Sequence, residues 1–218
     1  MKRNNRREWF QPRKHIYDEQ VKAPMIQLIE ALTAEMRKFA PAYVREPSAA
    51  IYRIYRDTRF SPNKTPYKTH IAAIFPRRGL EKHAGASLYF SVAPGEIEVA
   101  GGVYMPPPEA IRAIRLHLLD HHAEFRALLR ARQLRTLMGE LQGDQLARVP
   151  KGFSAEHPAA DLVKYKQWLV WTMLDPALAG SPKLFTELLK RFRVMTPLMD
   201  FLNAPLLAAG AKRPEILT

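Results

Sequence analysis

The segment IYRIYRDTRFSPNKTPYK, residues 51–68, holds three arginines (Arg53, Arg56, Arg59), two lysines (Lys64, Lys68) and one aspartate (Asp57) among four aromatic rings. Five cations against one carboxylate leave four positive charges unmatched within the segment. Two unit charges about 4 Å apart repel by roughly 4 kcal/mol at an effective dielectric near 20, so a compact cluster of this composition needs a counter-charge. A distant carboxylate, water or a bound anion can supply it. Arginine suits the last, because its planar fork donates two hydrogen bonds to a carboxylate or phosphate. The leading expectation is an anion site formed by Arg53, Arg56, Arg59, Lys64 and Lys68, with the Tyr67 hydroxyl as a further donor, Asp57 orienting the guanidiniums and His70 at the rim. The same composition also suits an internal ion-pair network that pins the sheet to its neighbour. An enzyme would use Asp57 or His70 as general acid or base and the arginines as a clamp for developing negative charge, as phosphoryl or carboxyl chemistry requires. A nucleic-acid binder would instead use the whole basic surface.

These side chains need elements to position them. An extended strand alternates its side chains, which puts Ile51, Arg53, Tyr55, Asp57 and Arg59 on one face and Tyr52, Ile54 and Arg56 on the other. Pro62, Asn63 and Pro66 predict a turn that returns Lys64 and Lys68 toward the arginines. The β-favouring runs THIAAIF, ASLYFSV and EIEVAGGVYM follow, separated by turn residues, so residues 51–104 read as an antiparallel meander of about four strands. APGE is short enough to close a hairpin.

Upstream, Met25, Ile26, Ile29, Leu32 and Met36 recur at three and four residues, predicting a helix over 19–39 with Pro24 in its first turn. Downstream, Ile111, Ile114, Leu118, Phe125, Leu128 and Leu129 predict a helix with a break near His121. Residues 161–174 and 182–202 read as two more helices, the second capped by Ser181 and interrupted at Pro197. A strand block flanked by N-terminal and C-terminal helices is an α+β architecture, and residues 1–218 read as one domain.

Other groups have residue types and spacings that could do chemistry. PKGFSAEHP offers Lys151 and His157, with Lys164 close behind, as a secondary anion site at a helix start. His117 and His121 have the four-residue spacing of two metal ligands, but a third ligand and the HExxH pattern are missing, so no metal site is assigned. Lys183, Lys190, Arg191 and Arg193 make the last helix basic on part of its surface. No Walker loop, GxGxxG or GxSxG is present, and the sequence names no cofactor and no oligomeric state.

Thirty-four Lys plus Arg against 21 Asp plus Glu give a formal net charge of +13, which favours an anionic small molecule or nucleic acid as partner. The absence of cysteine excludes disulfides, thiolate zinc sites and a cysteine nucleophile, and fits a reducing cytoplasm. There is no run of 18 apolar residues to span a bilayer and no signal-peptide pattern.

Arg53, Arg56, Asp57, Arg59, Phe60, Lys64, Pro66, Tyr67 and Lys68 fit the pattern RxxRDxRFxxxKxPYK, and in this the chain resembles a bacterial family catalogued as domain of unknown function 2461. NNRREWF, GGVYMPPPEAIRAIR and VPKGFSAEHPAADLVKYK resemble further passages of that family. The resemblance implies a shared fold and a cytoplasmic bacterial protein; it implies no activity. Family members usually carry an apolar helical segment before the NN-x-x-x-WF opening. Here Met1 stands almost directly before Asn4 and Asn5, so a missing first helix or an earlier start is expected.

Overall fold

Two short helices, α1 (Arg7–Phe10) and α2 (Lys14–Tyr17), lead through a π-helical turn at Asp18–Lys22 into α3 (Ala23–Met36) in the computed structural model, which describes residues 3–211. Met25, Ile29, Leu32 and Met36 are all buried, as their spacing requires, and Pro24 sits where the π-helical turn passes into α3. One helical turn, α4 (Pro47–Ala50), precedes the cationic segment. The remaining elements are β1 (Ile71–Pro76), β2 (Ser87–Ala93), β3 (Glu96–Val103), α5 (Pro108–Arg130), α6 (Arg132–Met138), β4 (Trp168–Leu174) and α7 (Lys183–Ala211).

The strands form one antiparallel sheet in the order β1-β2-β3-β4, flanked by the N-terminal and C-terminal helices, so the α+β meander is found. The β2–β3 hairpin pairs Ala93 with Glu96 across Pro94 and Gly95, and Gly95 takes φ 90°, which only glycine adopts without strain. The break in α5 lies at His121 (φ −121°, ψ 21°). The Ser181 hydroxyl accepts a hydrogen bond from the Lys183 N–H at 3.2 Å and so caps α7.

Three elements differ from expectation. The fourth strand is Trp168–Leu174, inside the stretch expected to be helical. Its seven residues are too short for periodicity to separate strand from helix, and pairing with β3 decides it: Trp168, Val170 and Leu174 are buried while Trp171 and Met173 face out. Residues 51–56 are extended but make single bridges instead of a ladder. Helix α7 continues through Pro197 and Pro205. Each proline costs about 3 kcal/mol inside a helix, yet Met195, Leu198, Met199, Leu202 and Leu206 are buried along the same element, and each buried side chain returns about 2 kcal/mol.

Phe75, Leu88, Gly101 and Val170 share one cross-strand row on the inner face of the sheet. Helix α7 covers that face, with the Phe192 ring 5.5 Å from Phe75 and 6.3 Å from Phe90. A Cβ on Gly101 would come within 2.7 Å of the Met195 sulfur, so glycine there lets the helix lie close. From the same helix, fully buried Asn203 reaches the start of β2. Its amide accepts from the Ala86 N–H at 2.8 Å, donates to the Ala86 carbonyl at 2.9 Å and donates to the Tyr43 hydroxyl at 3.1 Å. Tyr43 in turn donates to Asp200, which also holds Arg77.

Candidate functional site

The cationic segment runs along the outer edge of β1 for one step, where the Tyr52 N–H donates to the Ala72 carbonyl at 2.9 Å. It then closes on itself. The Arg56 N–H donates to the Pro66 carbonyl at 2.9 Å and the Lys68 N–H to the Ile54 carbonyl at 2.8 Å, with a bridge between Tyr55 and Tyr67. Residues 57–65 are therefore a loop closed by a short antiparallel pair. The expected alternation is present: Arg53, Tyr55, Asp57 and Arg59 are exposed, and Tyr52, Ile54 and Arg56 are half-buried.

Several of the charges are engaged within this loop. Arg56 donates to the Thr65 hydroxyl at 2.5 Å and to the Ser61 hydroxyl at 3.4 Å. Asn63 accepts from the Thr65 N–H at 3.0 Å, the side-chain turn that its type favours. Lys64 donates to the Thr58 carbonyl at 2.9 Å. Arg59 grips Asp57 through Nε at 3.1 Å and Nη2 at 2.7 Å, and its backbone N–H adds a third bond at 3.2 Å. Chiefly through the Arg59 side chain, these bonds lower the Asp57 carboxyl to about 2, so it is a carboxylate across the ordinary pH range.

Tyr67 is buried, its ring 4.4 Å from Phe10 and 5.5 Å from Tyr55. Asn5 clamps its backbone at both ends: Nδ2 donates to the Tyr67 carbonyl at 2.8 Å, and Oδ1 accepts from the Tyr67 N–H at 3.0 Å. The amino-terminal NNRREWF passage thus holds the TPYK end of the segment. Nothing in the sequence links the two, because 62 residues separate the partners. Replacing Asn5 with alanine leaves both backbone groups without their partner, and is expected to cost about 2 kcal/mol, a fall of roughly 4–8 °C in a thermal melt. An unchanged melt would mean that water substitutes for the amide.

Of the remaining cations Arg53 is exposed, and Lys68 meets a lysine from elsewhere in the chain at Tyr52. The Lys68 ammonium lies 4.7 Å from the centre of its ring, and the Lys82 ammonium, from the β1–β2 connection, lies 4.3 Å from it. His83 stacks at 6.5 Å with 17° between the rings, and Tyr89 of β2 meets Tyr52 edge-on at 6.4 Å. Neither ammonium is paired with a carboxylate among the described residues. Burial lowers the Lys68 pKa, and the charges of Arg53 and Lys82 lower it further. Burial likewise lowers Lys82, and it lowers His83 with help from Lys82. His70 is also lowered, first by burial and then by Lys68, against an opposing pull from Glu96. Lys82 and His83 were not legible as site residues, since only the path of the β1–β2 connection brings them to Tyr52.

A family model described as conserved hypothetical protein (DUF2461) matches residues 1–201. The chain belongs to that family. No curated protein and no solved structure matches it. In this DUF2461 chain Lys164 lies beside the opposite edge of the sheet, while the His157 ring stands 5.7 Å from that of His122 on α5. Gln142 exchanges backbone hydrogen bonds with Leu169 of β4, and the Lys164 carbonyl accepts from the Leu146 N–H at 2.8 Å. Four strands at about 4.8 Å spacing put roughly 14 Å between the two edges. His157 accepts from the Ala159 N–H at 3.1 Å, shaping its own turn.

The His117 and His121 rings stand 4.3 Å apart, and His117 packs on Phe201 at 4.6 Å. Among the described residues no three His, Cys, Asp or Glu side chains gather closely enough to hold a metal ion. On α7, Lys190 and Arg191 both pair with Glu187, and Arg193 lies 4.8 Å from the Phe39 ring. No described helix is long and apolar enough to cross a membrane.

Proposed function

We infer that this protein binds a phosphate- or carboxylate-bearing anion at the edge of its sheet through Lys68 and Lys82, whose ammoniums both lie over the Tyr52 ring, with the charge of Arg53 adding to the positive field at Lys68. The observation that carries this reading is the pair of half-buried ammoniums at 4.7 and 4.3 Å from one ring with no carboxylate paired to either. The ring face offers each cation about 1 kcal/mol, while desolvation and the charges of Arg53 and Lys82 act against the charged form and lower the Lys68 pKa. A bound anion reverses both penalties. Arg56, Arg59 and Lys64 shape the loop beside it, and Tyr67, clamped by Asn5, anchors the returning strand. Asp57, ionised down to a pKa of about 2, orients Arg59 and carries no proton to give near neutral pH.

Calorimetric titration with inorganic phosphate and pyrophosphate at low salt tests the reading. One site is expected, weakened about tenfold by Lys68→Met and largely kept by Lys68→Arg. The affinity should fall as pH rises through the lysine pKa values, which lie below 10.5, because the anion requires protonated ammoniums. No binding, or an affinity flat to pH 10.5, contradicts it. A small anion gives a shallow salt dependence, whereas duplex DNA would lower the log of affinity by about 0.9 per phosphate contacted for each tenfold rise in salt.

A further inference from the structure

The outer face of the sheet continues directly from Tyr52. Cross-strand pairing sets Tyr89 opposite Ala100 and Ala100 opposite Trp171, so the three side chains share one row and one face. Tyr89 touches Tyr52, and Trp171 is 40% exposed, so part of its ring is open to a ligand. In the row between them stands Ala100, and two strand spacings put the backbones of Tyr89 and Trp171 about 10 Å apart. Two aromatic side chains on one face thus flank a position that carries only a methyl group. Glu98, two residues along the same strand and face, sets a hydrogen-bond acceptor beside Ala100 and disfavours a phosphate there. The ammoniums of Lys68 and Lys82 lie at the other end, beyond Tyr89, by way of Tyr52. Positive charge at one end and a carboxylate near Ala100 fit a ligand that is anionic at one end and carries a flat ring with amino or imino donors at the other.

We propose that the anion bound at Lys68 and Lys82 is the phosphate of a nucleotide whose base lies over Ala100 between Tyr89 and Trp171. This rests on the anion site and adds the ring. Base stacking on aromatic side chains tolerates any base, so little selectivity among bases is expected, and free nucleotides and single strands share the chemistry.

Calorimetry on the full chain with inorganic phosphate, ribose 5-phosphate, adenosine 5′-monophosphate and a short single-stranded oligoadenylate separates the cases. Adenosine monophosphate is expected to bind about tenfold tighter than ribose 5-phosphate, with that ratio falling to about one in Trp171→Ala and returning in Trp171→Phe. A further large gain for the oligoadenylate identifies a strand as the source; equal affinity per site identifies a free nucleotide. Both support the ring subsite. Ribose 5-phosphate and adenosine monophosphate binding equally well, with both weakened by Lys68→Met, would overturn the ring and leave the anion site standing. Binding of none of the probes would overturn both. A ratio of ten that survives Trp171→Ala would place the base elsewhere and also overturn the proposal.

Discussion

Asn203→Leu is expected to lower the melting temperature by about 10 °C without changing the sheet. Asn203 is fully buried and serves both the N–H and the carbonyl of Ala86, itself fully buried at the entry to β2. Leucine fills nearly the same space but offers neither partner. Each backbone group left unpaired in the interior costs about 1–3 kcal/mol, and about 2–4 °C is lost per kcal/mol in a chain of this size. The Tyr43 hydroxyl loses a donor as well, although it keeps Asp200 as acceptor. Asn203→Asp retains an acceptor for the Ala86 N–H and should fall between the two. A leucine variant that melts with the native protein would mean that α7 holds β2 through apolar contact alone.

The double variant Lys68→Met/Lys82→Met is expected to weaken phosphate binding about a hundredfold while melting no lower than the native chain. A hydrogen bond to a charged group contributes about 1.5–3 kcal/mol, so losing two such donors removes at least that factor. Methionine keeps apolar cover over Tyr52, where its sulfur also packs well against a ring. Stability should hold or rise, because the repulsion between two half-buried ammoniums is gone. The opposite signs separate a binding site from a scaffold. If these lysines were structural, the variant would melt lower; if phosphate bound elsewhere, its affinity would not change.

The sequence exposed α3, α5, α7 and the β2–β3 hairpin because their signals are local. The three- and four-residue spacing of Met25, Ile29, Leu32 and Met36 needs no partner to be read, nor does a Pro-Gly pair between alternating strands. Strand β4 was not readable in this way. WLVWTML is apolar at most positions, and its conformation is chosen by pairing with β3, a partner about 70 residues earlier. In the candidate site, the extended run with its alternating faces and the return of Lys68 were legible from period and turn residues. What the spacing could not show is which cations the loop would itself engage. Arg56 and Lys64 meet loop oxygens, and Arg59 meets Asp57 two residues away. Lys82 and Asn5, which reach the segment from elsewhere in the chain, carry no local signal.

Binding of an anion by the two ammoniums at Tyr52 is tested most directly by NMR of lysine-labelled protein. Titration of the Lys68 and Lys82 side-chain resonances with and without phosphate reads the pKa of each. In the phosphate-free protein both should titrate below 10.5, and saturating phosphate should move both upward together, since the anion favours the charged forms. Two lysines that titrate at the ordinary value and ignore phosphate would contradict the account.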